Sequence, residues 1–409
     1  MEPLQETDYD FMLSQFHMNL VKFFLKVTST FGFCPMYVDT VRGKLTVSFW
    51  SWARATHNWL WMAFYGGLVL PTHAFEVWLY SKNVKSLRSN KTMIYLIIAI
   101  IYCWFCTLFL SITTLKPLIF CQYTNGLLKY VETFPAKYIT TYNPAKEKKI
   151  MKLMEFLMLS TVSLLFFLCS LLMLHGYLFP SAPPYPAYRV PAYALSLPFY
   201  LISCTWFATS GLNYIGVTVV VICGSIFHFF SIFPILKNEM RLGQSSYKTI
   251  EKLRQPHHLI ANYRAIQVLM KIFNVEVGII FVPIQVFMTS STVVANVSLV
   301  FQWHIFRVID KIFLTVLMLT GFVCWGCFLW LAGLQYKESK KTVESWHWTN
   351  WKKKEDRMYM KRVTPTCQPV TFGDGKRFII NPTKVLQFFR SASKNTFRGL
   401  ATYAKVFEN

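Results

Sequence analysis

Long apolar runs, separated by short polar and basic segments, are the main pattern of this chain. Each run has about the twenty residues that an α-helix needs to cross a bilayer core. The runs predict membrane-spanning helices at about 58–80, 92–115, 150–179, 200–236, 272–300 and 311–335. The fourth could equally begin at 211, because 199–208 is also apolar.

A further helix is predicted for residues 378–403, and it is not uniformly apolar. Its polar residues recur at spacings of three and four, which places them along one side of a helix. A spanning helix would turn that side toward protein or a water-filled lumen, because charge facing lipid is costly. A helix lying on the membrane surface would show the same pattern, and this alternative stays open. The stripe comprises Lys384, Gln387, Ser391, Asn395, Arg398 and Thr402, flanked by Arg390 and Lys394.

Two segments outside the runs complete the predicted architecture. Residues 9–30 place apolar side chains at helical spacing and predict an amphipathic helix before the first span. Residues 336–376 form a basic, Trp-rich linker. We therefore expect an all-α fold in which residues 1–409 form a single seven-helix transmembrane domain, ending in a pore-type helix.

Composition supports a membrane protein. Hydrophobic residues make up 54% of the chain and charged residues only 15%, whereas a typical soluble protein is about a quarter charged. The net charge of +23 could suggest a nucleic-acid partner, but the basic residues lie between the apolar runs and no nucleic-acid-binding motif is present. The predicted partner is therefore the lipid bilayer, and the predicted location is the cell membrane, crossed several times.

The distribution of Lys and Arg predicts the orientation. With the N-terminus in the cytoplasm, the inner segments hold 28 of these residues and the outer ones 8. The positive-inside rule thus favours a cytoplasmic N-terminus, a cytoplasmic 336–376 linker and an extracellular C-terminus. The two Asn-x-Ser/Thr sequons, at Asn90 and Asn296, both fall on the outer side and are candidate glycosylation sites.

Several function classes find no support in the sequence. No zinc-protease, serine-hydrolase or phosphate-loop motif is present, so we predict no enzyme and no cofactor. The two Cys-x-x-Cys pairs, Cys103/Cys106 and Cys324/Cys327, lie inside apolar runs, where packing is a better explanation than metal binding. G-protein-coupled receptors also have seven spans, but their N-terminus is extracellular. A transporter, whose last polar helix would line a substrate path, remains an alternative.

A resemblance to a known family rests on features at both ends of the chain. The predicted N-terminal helix ends in the Gly-x-x-Pro of Gly32 to Pro35, and basic linkers precede the third, fifth and seventh spans. A glycine-containing turn leads from Gly373 to Phe378, and the Thr396-Phe397 and Tyr403-Ala404 pairs stand where the family has Thr-Tyr and Gln-Phe. The chain resembles the arthropod chemoreceptor superfamily of gustatory and odorant receptors, as a divergent, springtail-like member.

The resemblance implies a tetrameric ligand-gated cation channel that senses small organic molecules in smell or taste. The tetramer would be homomeric or heteromeric, the latter with a co-receptor subunit. By this resemblance, Leu400 and Ala404 fall at the gate with Tyr403 beside it. Polar pore positions on the same helix are Gln387, Asn395 and Thr396. Candidate ligand-binding aromatics are Tyr177, Trp206 and Trp330, for which core packing is the alternative explanation.

One departure from the family concerns charge. Family channels pass cations, yet the last helix carries Lys384, Arg390, Lys394 and Arg398. Either these side chains face subunit contacts or lipid headgroups, or the chain is a non-conducting or unusually selective member. The sequence favours the first explanation for Arg390 and Lys394.

Overall fold

The computed structural model describes residues 35–39, 44–80, 91–140, 224–278, 280–304, 306–373 and 378–408, together with Phe23, Lys26 and scattered positions between 152 and 174. Within this part of the chain the fold is almost entirely helical, which confirms the all-α prediction. Of the predicted N-terminal helix, only Phe23 and Lys26 are described, and both are helical. The rest of 9–30 lies outside the described residues.

A short antiparallel hairpin, which the sequence did not predict, precedes the first long helix. Strands β1 (Met36–Asp39) and β2 (Lys44–Val47) pair so that Met36 faces Val47. Asn125 fixes the hairpin by accepting from the backbone N–H of Leu45 and donating to its carbonyl, each at 2.9 Å. The hairpin therefore lies against the helix that carries Asn125.

The first long helix begins earlier than its apolar run. Helix α1 (Phe49–Phe64) continues through a π-helical turn, Tyr65–Val69, into α2 (Leu70–Tyr80). It starts at Phe49 because Ser48 and Ser51 form a capping box, in which each hydroxyl accepts from the other residue's backbone N–H. Helix α3 (Lys91–Thr114) packs beside it, where Cys103 lies against Gly66. The described positions between 152 and 174 are all helical.

The basic segments between the predicted spans also contain helices. Helix α4 (Pro117–Tyr138) occupies much of 116–149, and α6 (Pro256–Val277) occupies the end of 237–271. Each begins with proline, which suits the first helical turn. The two run antiparallel: the rings of Tyr123 and Phe273 lie 4.8 Å apart, and the Asn262 amide donates to the Tyr138 hydroxyl at 3.1 Å. Helix α5 (224–234) ends in a π-helical turn, Ile235–Glu239.

Among the described residues, two helices are long and apolar enough to cross a membrane by length and composition. One is α7 (Phe281–Phe301). The other is a 41-residue helix made of α8 (Val308–Leu319), a π-helical stretch (Thr320–Trp325) and α9 (Gly326–Trp348). Of the most apolar 18-residue stretch of each helix, only 28% and 29% is buried inside the chain. Most of this apolar surface therefore faces outward.

The segment after Trp348 folds back onto α9. Helix α10 (Lys354–Val363) and a 3₁₀ turn, Thr364–Thr366, follow Trp348, and α11 (Pro382–Glu408) ends the described chain. Trp346 is almost fully buried and its indole N–H donates to the Met240 carbonyl at 2.9 Å. Thr342 donates to the Leu236 carbonyl, also at 2.9 Å. The 336–376 linker therefore begins as helix and is anchored to the end of α5.

Candidate functional site

One face of α11 packs firmly against α7 and α9. Phe388 and Ala392 are fully buried. The Phe389 ring stacks on Phe322 with centroids 5.8 Å apart and covers Gly326, where an added Cβ would come within 2.8 Å of it. These contacts stand at spacings of three and four residues, so the helical period explains why one face is buried.

Farther along, α11 is tied to α7 by a polar contact and a close approach. The Asn296 amide donates to the Thr396 hydroxyl at 3.3 Å. A Cβ added at Gly399 would come within 2.8 Å of the Val297 side chain, so a larger residue would push the helices apart. Contacts at several points along α11 therefore fix how the helix is rotated about its own axis.

The opposite face of α11 is exposed and mostly polar. Leu386 and Phe397 interrupt it, each 71% exposed. In the part of the chain that the structure describes, no ion pair joins a basic residue of this face to an acid. The exposed polar residues of α11 are Thr383, Gln387, Arg390, Ser393, Lys394, Asn395, Arg398 and Thr402.

Close contacts of Asn274, Gly333 and Gly373 fix the backbone that leads into α11, and we call these contacts the cradle. The Asn274 amide donates to the Thr371 carbonyl at 2.7 Å, and its oxygen accepts from the Gly373 N–H at 3.1 Å. Gly373 has φ +122°, a conformation that favours glycine. Gly333 lies so close to the start of α11 that a Cβ there would meet the Asn381 and Pro382 backbones at 2.9 Å. This cradle connects α6 and α9 to the entry of the last helix.

A buried polar group lies behind the cradle. His228 is fully buried; its Nδ1 pairs with the Tyr123 hydroxyl at 3.0 Å and its Nε2 with the Gln335 amide at 3.1 Å. Phe372 packs edge-on against the His228 ring at 5.4 Å. The group joins α4, α5, α9 and the segment leading into α11. Burial raises the pKa of the Tyr123 hydroxyl, so this hydroxyl keeps its proton at physiological pH.

Comparison with known proteins identifies the fold. No protein-family model matches the chain, and no curated protein matches its sequence. The solved structure of the insect olfactory receptor OR5 from Machilis hrabei matches 95% of this chain and 99% of its own, with a TM-score of 0.61 and 11% identity. The same receptor in complex with eugenol matches 96% and 99%, again with a TM-score of 0.61 and 11% identity. The chain has the fold of an insect olfactory receptor. The resemblance stated from the sequence is thus confirmed at the level of the fold, over nearly the whole length.

Within the olfactory-receptor fold, the predicted pore and gate residues all lie on α11. Gln387, Asn395 and Ala404 are exposed, while Leu400 and Thr396 are half-buried. Thr396 is engaged with Asn296. Tyr403 belongs to the helix, but its side chain lies outside the described residues.

The predicted ligand-binding and glycosylation residues are only partly described. Tyr177, Trp206 and Asn90 lie outside the described residues. Trp330 is 57% exposed, on the outward side of α9. Asn296 lies inside α7, and a glycan would be attached to the same nitrogen that donates to Thr396.

Sequence reasoning missed the buried polar group and the cradle. His228 appeared in the sequence as one scattered histidine, and Gln335 as the end of a predicted span. His228 is 105 residues from Tyr123 and 107 residues from Gln335 in the chain, and no local spacing reveals contacts at such distances. The glycine-containing turn was the one available signal, since it marks the stretch that Asn274 holds.

Proposed function

We propose that this chain is a subunit of a chemosensory ligand-gated ion channel that opens in response to small organic molecules. The observation that carries the proposal is the match of nearly the whole chain to an insect olfactory receptor, one structure of which holds eugenol. Its function in smell or taste would follow from that ligand class. A channel of this class needs no enzymatic step.

The proposal places the chain in the cell membrane, crossing it seven times with a cytoplasmic N-terminus and an extracellular C-terminus. The outward apolar surface of α7 and of the α8–α9 helix supports a lipid environment. The excess of Lys and Arg in the inner segments supports the orientation.

Four copies would assemble with α11 of each at a common axis. The support is the division of α11 into a face packed on its own chain and an exposed polar face, which is what a helix lining water requires. Leu400, Tyr403 and Ala404 would form the gate near the outer end, with Gln387, Asn395 and Thr396 as polar positions of the same helix. A co-receptor subunit could supply some of the four copies.

The ligand would enter from outside into a pocket between the spans, lined by aromatic residues that include Tyr177, Trp206 and Trp330. Such pockets combine apolar walls with a few placed polar groups. Binding would open the channel by favouring one arrangement of α11, to the extent that the ligand binds the open state more tightly than the closed one.

Whole-cell recording from cells that express this chain alone tests the proposal. A panel of small organic molecules that includes eugenol is applied while surface expression is verified with an epitope tag. We expect a ligand-evoked current and, in single-molecule photobleaching of the tagged protein, up to four steps per particle. Monomeric particles without current, at normal surface density, would favour the transporter alternative instead.

A further inference from the structure

We propose that the outward face of α1 binds the headgroup of an anionic phospholipid in the inner leaflet of the membrane. Four residues form this site, and we call them the headgroup stripe: Trp50, Arg54, His57 and Trp61. They follow one another at spacings of four, three and four residues, so they lie along one side of the helix. The inference rests on the proposed orientation, with the N-terminus in the cytoplasm, and adds a lipid site to the proposed channel.

The side chains of the headgroup stripe are exposed. Trp50 is 73% exposed and Trp61 is 44% exposed, and Arg54 and His57 are exposed as well. The Arg54 Nε donates to the Trp50 carbonyl at 3.4 Å, which keeps the two residues on the same side of the helix. Arg54 forms no ion pair among the described residues, and α1 contains no acid. Its positive charge is therefore available to an anion outside the chain.

The packing of α1 decides where the headgroup stripe points. The Trp59 indole donates to the Thr107 carbonyl and to the Ser111 hydroxyl of α3, each at 3.1 Å. Trp50 precedes Trp59 by nine residues, which places it about half a turn away around the helix axis. The stripe therefore faces away from α3. Because α3 packs against α7, and α7 against α11, the stripe lies far from the proposed axis and faces the surrounding bilayer.

The outward face becomes purely apolar farther along the same helix. Its large side chains in α1, the π-helical turn and α2 are between 47% and 60% exposed: Leu60, Phe64, Leu68, Phe75 and Leu79. Apolar surface of this extent on a membrane helix belongs in the hydrocarbon core. The headgroup stripe therefore continues a lipid-facing surface toward the cytoplasmic end of the helix.

The depth of the headgroup stripe matches the phosphate layer. About 20 helical residues cross the hydrocarbon core, so the inner edge of the core, counted back from Tyr80 at the end of α2, falls near Leu60. His57 and Arg54 then lie about 5 and 9 Å beyond this edge, and their side chains can reach the phosphates. Tryptophan is enriched at this level, because the indole has an apolar body and a polar N–H.

The side chains of the headgroup stripe determine the class of ligand. The Arg54 guanidinium presents a fork of N–H donors that fits the oxygens of a phosphate, and His57 can donate a further hydrogen bond. The two indoles, Trp50 and Trp61, require apolar surroundings, which a free phosphate lacks and a phospholipid supplies. Anionic lipids are characteristic of the cytoplasmic leaflet. The ligand is therefore an anionic phospholipid such as phosphatidylserine.

Native mass spectrometry of the purified full chain tests the site. The protein is titrated with phosphatidylserine or with phosphatidylcholine of the same acyl chains, and the dissociation constants are compared. We expect phosphatidylserine to bind about fivefold more tightly, the factor that one basic residue contributes near anionic lipid. Arg54→Gln should bind both lipids equally. Arg362→Gln makes the same change at an exposed arginine of α10, in the proposed cytoplasmic segment, and should keep the preference.

Each outcome bears on the lipid site separately from the proposed function. Equal binding of the two lipids by the unmodified chain overturns the inference, as does a preference that survives in Arg54→Gln. Soluble glycerophosphoserine is added as a competitor, and displacement of the lipid by it at similar concentration overturns the assignment to a lipid. If Arg54→Gln does not purify as folded protein, Trp50→Ala is measured, and an unchanged preference there counts against the inference.

The assay uses neither an odorant nor a current. A chain that gives no evoked current but keeps the lipid preference would overturn the proposed function alone. A chain that conducts but binds the two lipids equally would overturn the lipid site alone.

Discussion

Asn296 donates a hydrogen bond to Thr396 at 3.3 Å, and this contact joins the middle of α11 to the apolar helix α7. It lies within one helical turn of the close approach between Gly399 and Val297. Any movement of α11 that opens a pore must therefore stretch or break the Asn296–Thr396 contact, or carry α7 along with it.

Removing the Asn296–Thr396 contact should weaken the attachment of α11 by a modest, measurable amount. Hydrogen bonds between membrane helices contribute about 0.6 kcal/mol on average. In a double-mutant cycle of Asn296→Ala and Thr396→Val, we expect a coupling of about that size in the thermal stability of the detergent-solubilised protein. Asn395→Ala, which changes an exposed neighbour, should leave stability unchanged. Strictly additive effects of the two substitutions would show that the contact contributes nothing.

Replacing either of two tyrosines on α4 with phenylalanine should have opposite effects on the stability of the protein. Tyr123 is bonded to His228, whereas the buried Tyr130 hydroxyl has no hydrogen-bond partner among the described residues. Tyr123→Phe leaves a buried imidazole nitrogen unpaired, which costs about 1–3 kcal/mol. Tyr130→Phe removes an unsatisfied hydroxyl and should be neutral or stabilising. Denaturation curves of both variants against the unmodified chain measure the difference, and equal losses would contradict the role given to His228.

The amphipathic character of α11 could be predicted because it is a local property. Spacings of four and three residues between Ser391, Asn395 and Arg398 determine a helical face, whatever lies opposite. The structure buries the other side of the helix at the same spacing, at Phe388 and Ala392, which are four residues apart. What covers that face could not be predicted, because Asn296 and Phe322 are distant in sequence.

The basic segments were harder to interpret than the apolar runs. Lys and Arg on α4 and α6 suggested linkers, although one side of each helix carries aromatics that pack together, such as Tyr123 and Phe273. The 272–300 run was predicted as one span, but the chain changes helix near Gly278, which lies against Gly373. A run of apolar residues does not reveal such a break.

The register of the gate depends on which residues are matched to the family motif. Thr396-Phe397 was matched to the family's Thr-Tyr pair, which assigns the gate to Leu400 and Ala404. A literal Thr-Tyr pair, Thr402-Tyr403, stands six residues later. A shift of six residues turns a helix by about 240°, so the two registers place different faces of α11 at the gate.

The entry of α11 should be intolerant of a single methyl group. A Cβ at Gly333 would meet the Asn381 and Pro382 backbones at 2.9 Å, and backbone cannot rotate away as a side chain can. Overpacking of this kind costs about 1–3 kcal/mol, so Gly333→Ala should lower thermal stability and surface expression. Gly224→Ala is the matched control, because no atom of the described residues lies within 4 Å of the Cβ it would add. Equal behaviour of the two variants would show that the cradle can relax.

Two leucines on α11 test the placement of the gate. Leu400 is half-buried near the outer end, whereas Leu386 is 71% exposed near the start of the helix. If Leu400 closes the pore, Leu400→Ala widens the constriction and weakens the closed state, so current should flow without ligand and half-activation should need several-fold less ligand. Leu386→Ala makes the same chemical change about 21 Å away along the helix and should leave both quantities unchanged. Concentration–response curves measured at matched surface expression give the comparison. If Leu386→Ala alone produced basal current, the constriction would lie near the cytoplasmic end of α11, and the gate would have to be reassigned to that part of the helix.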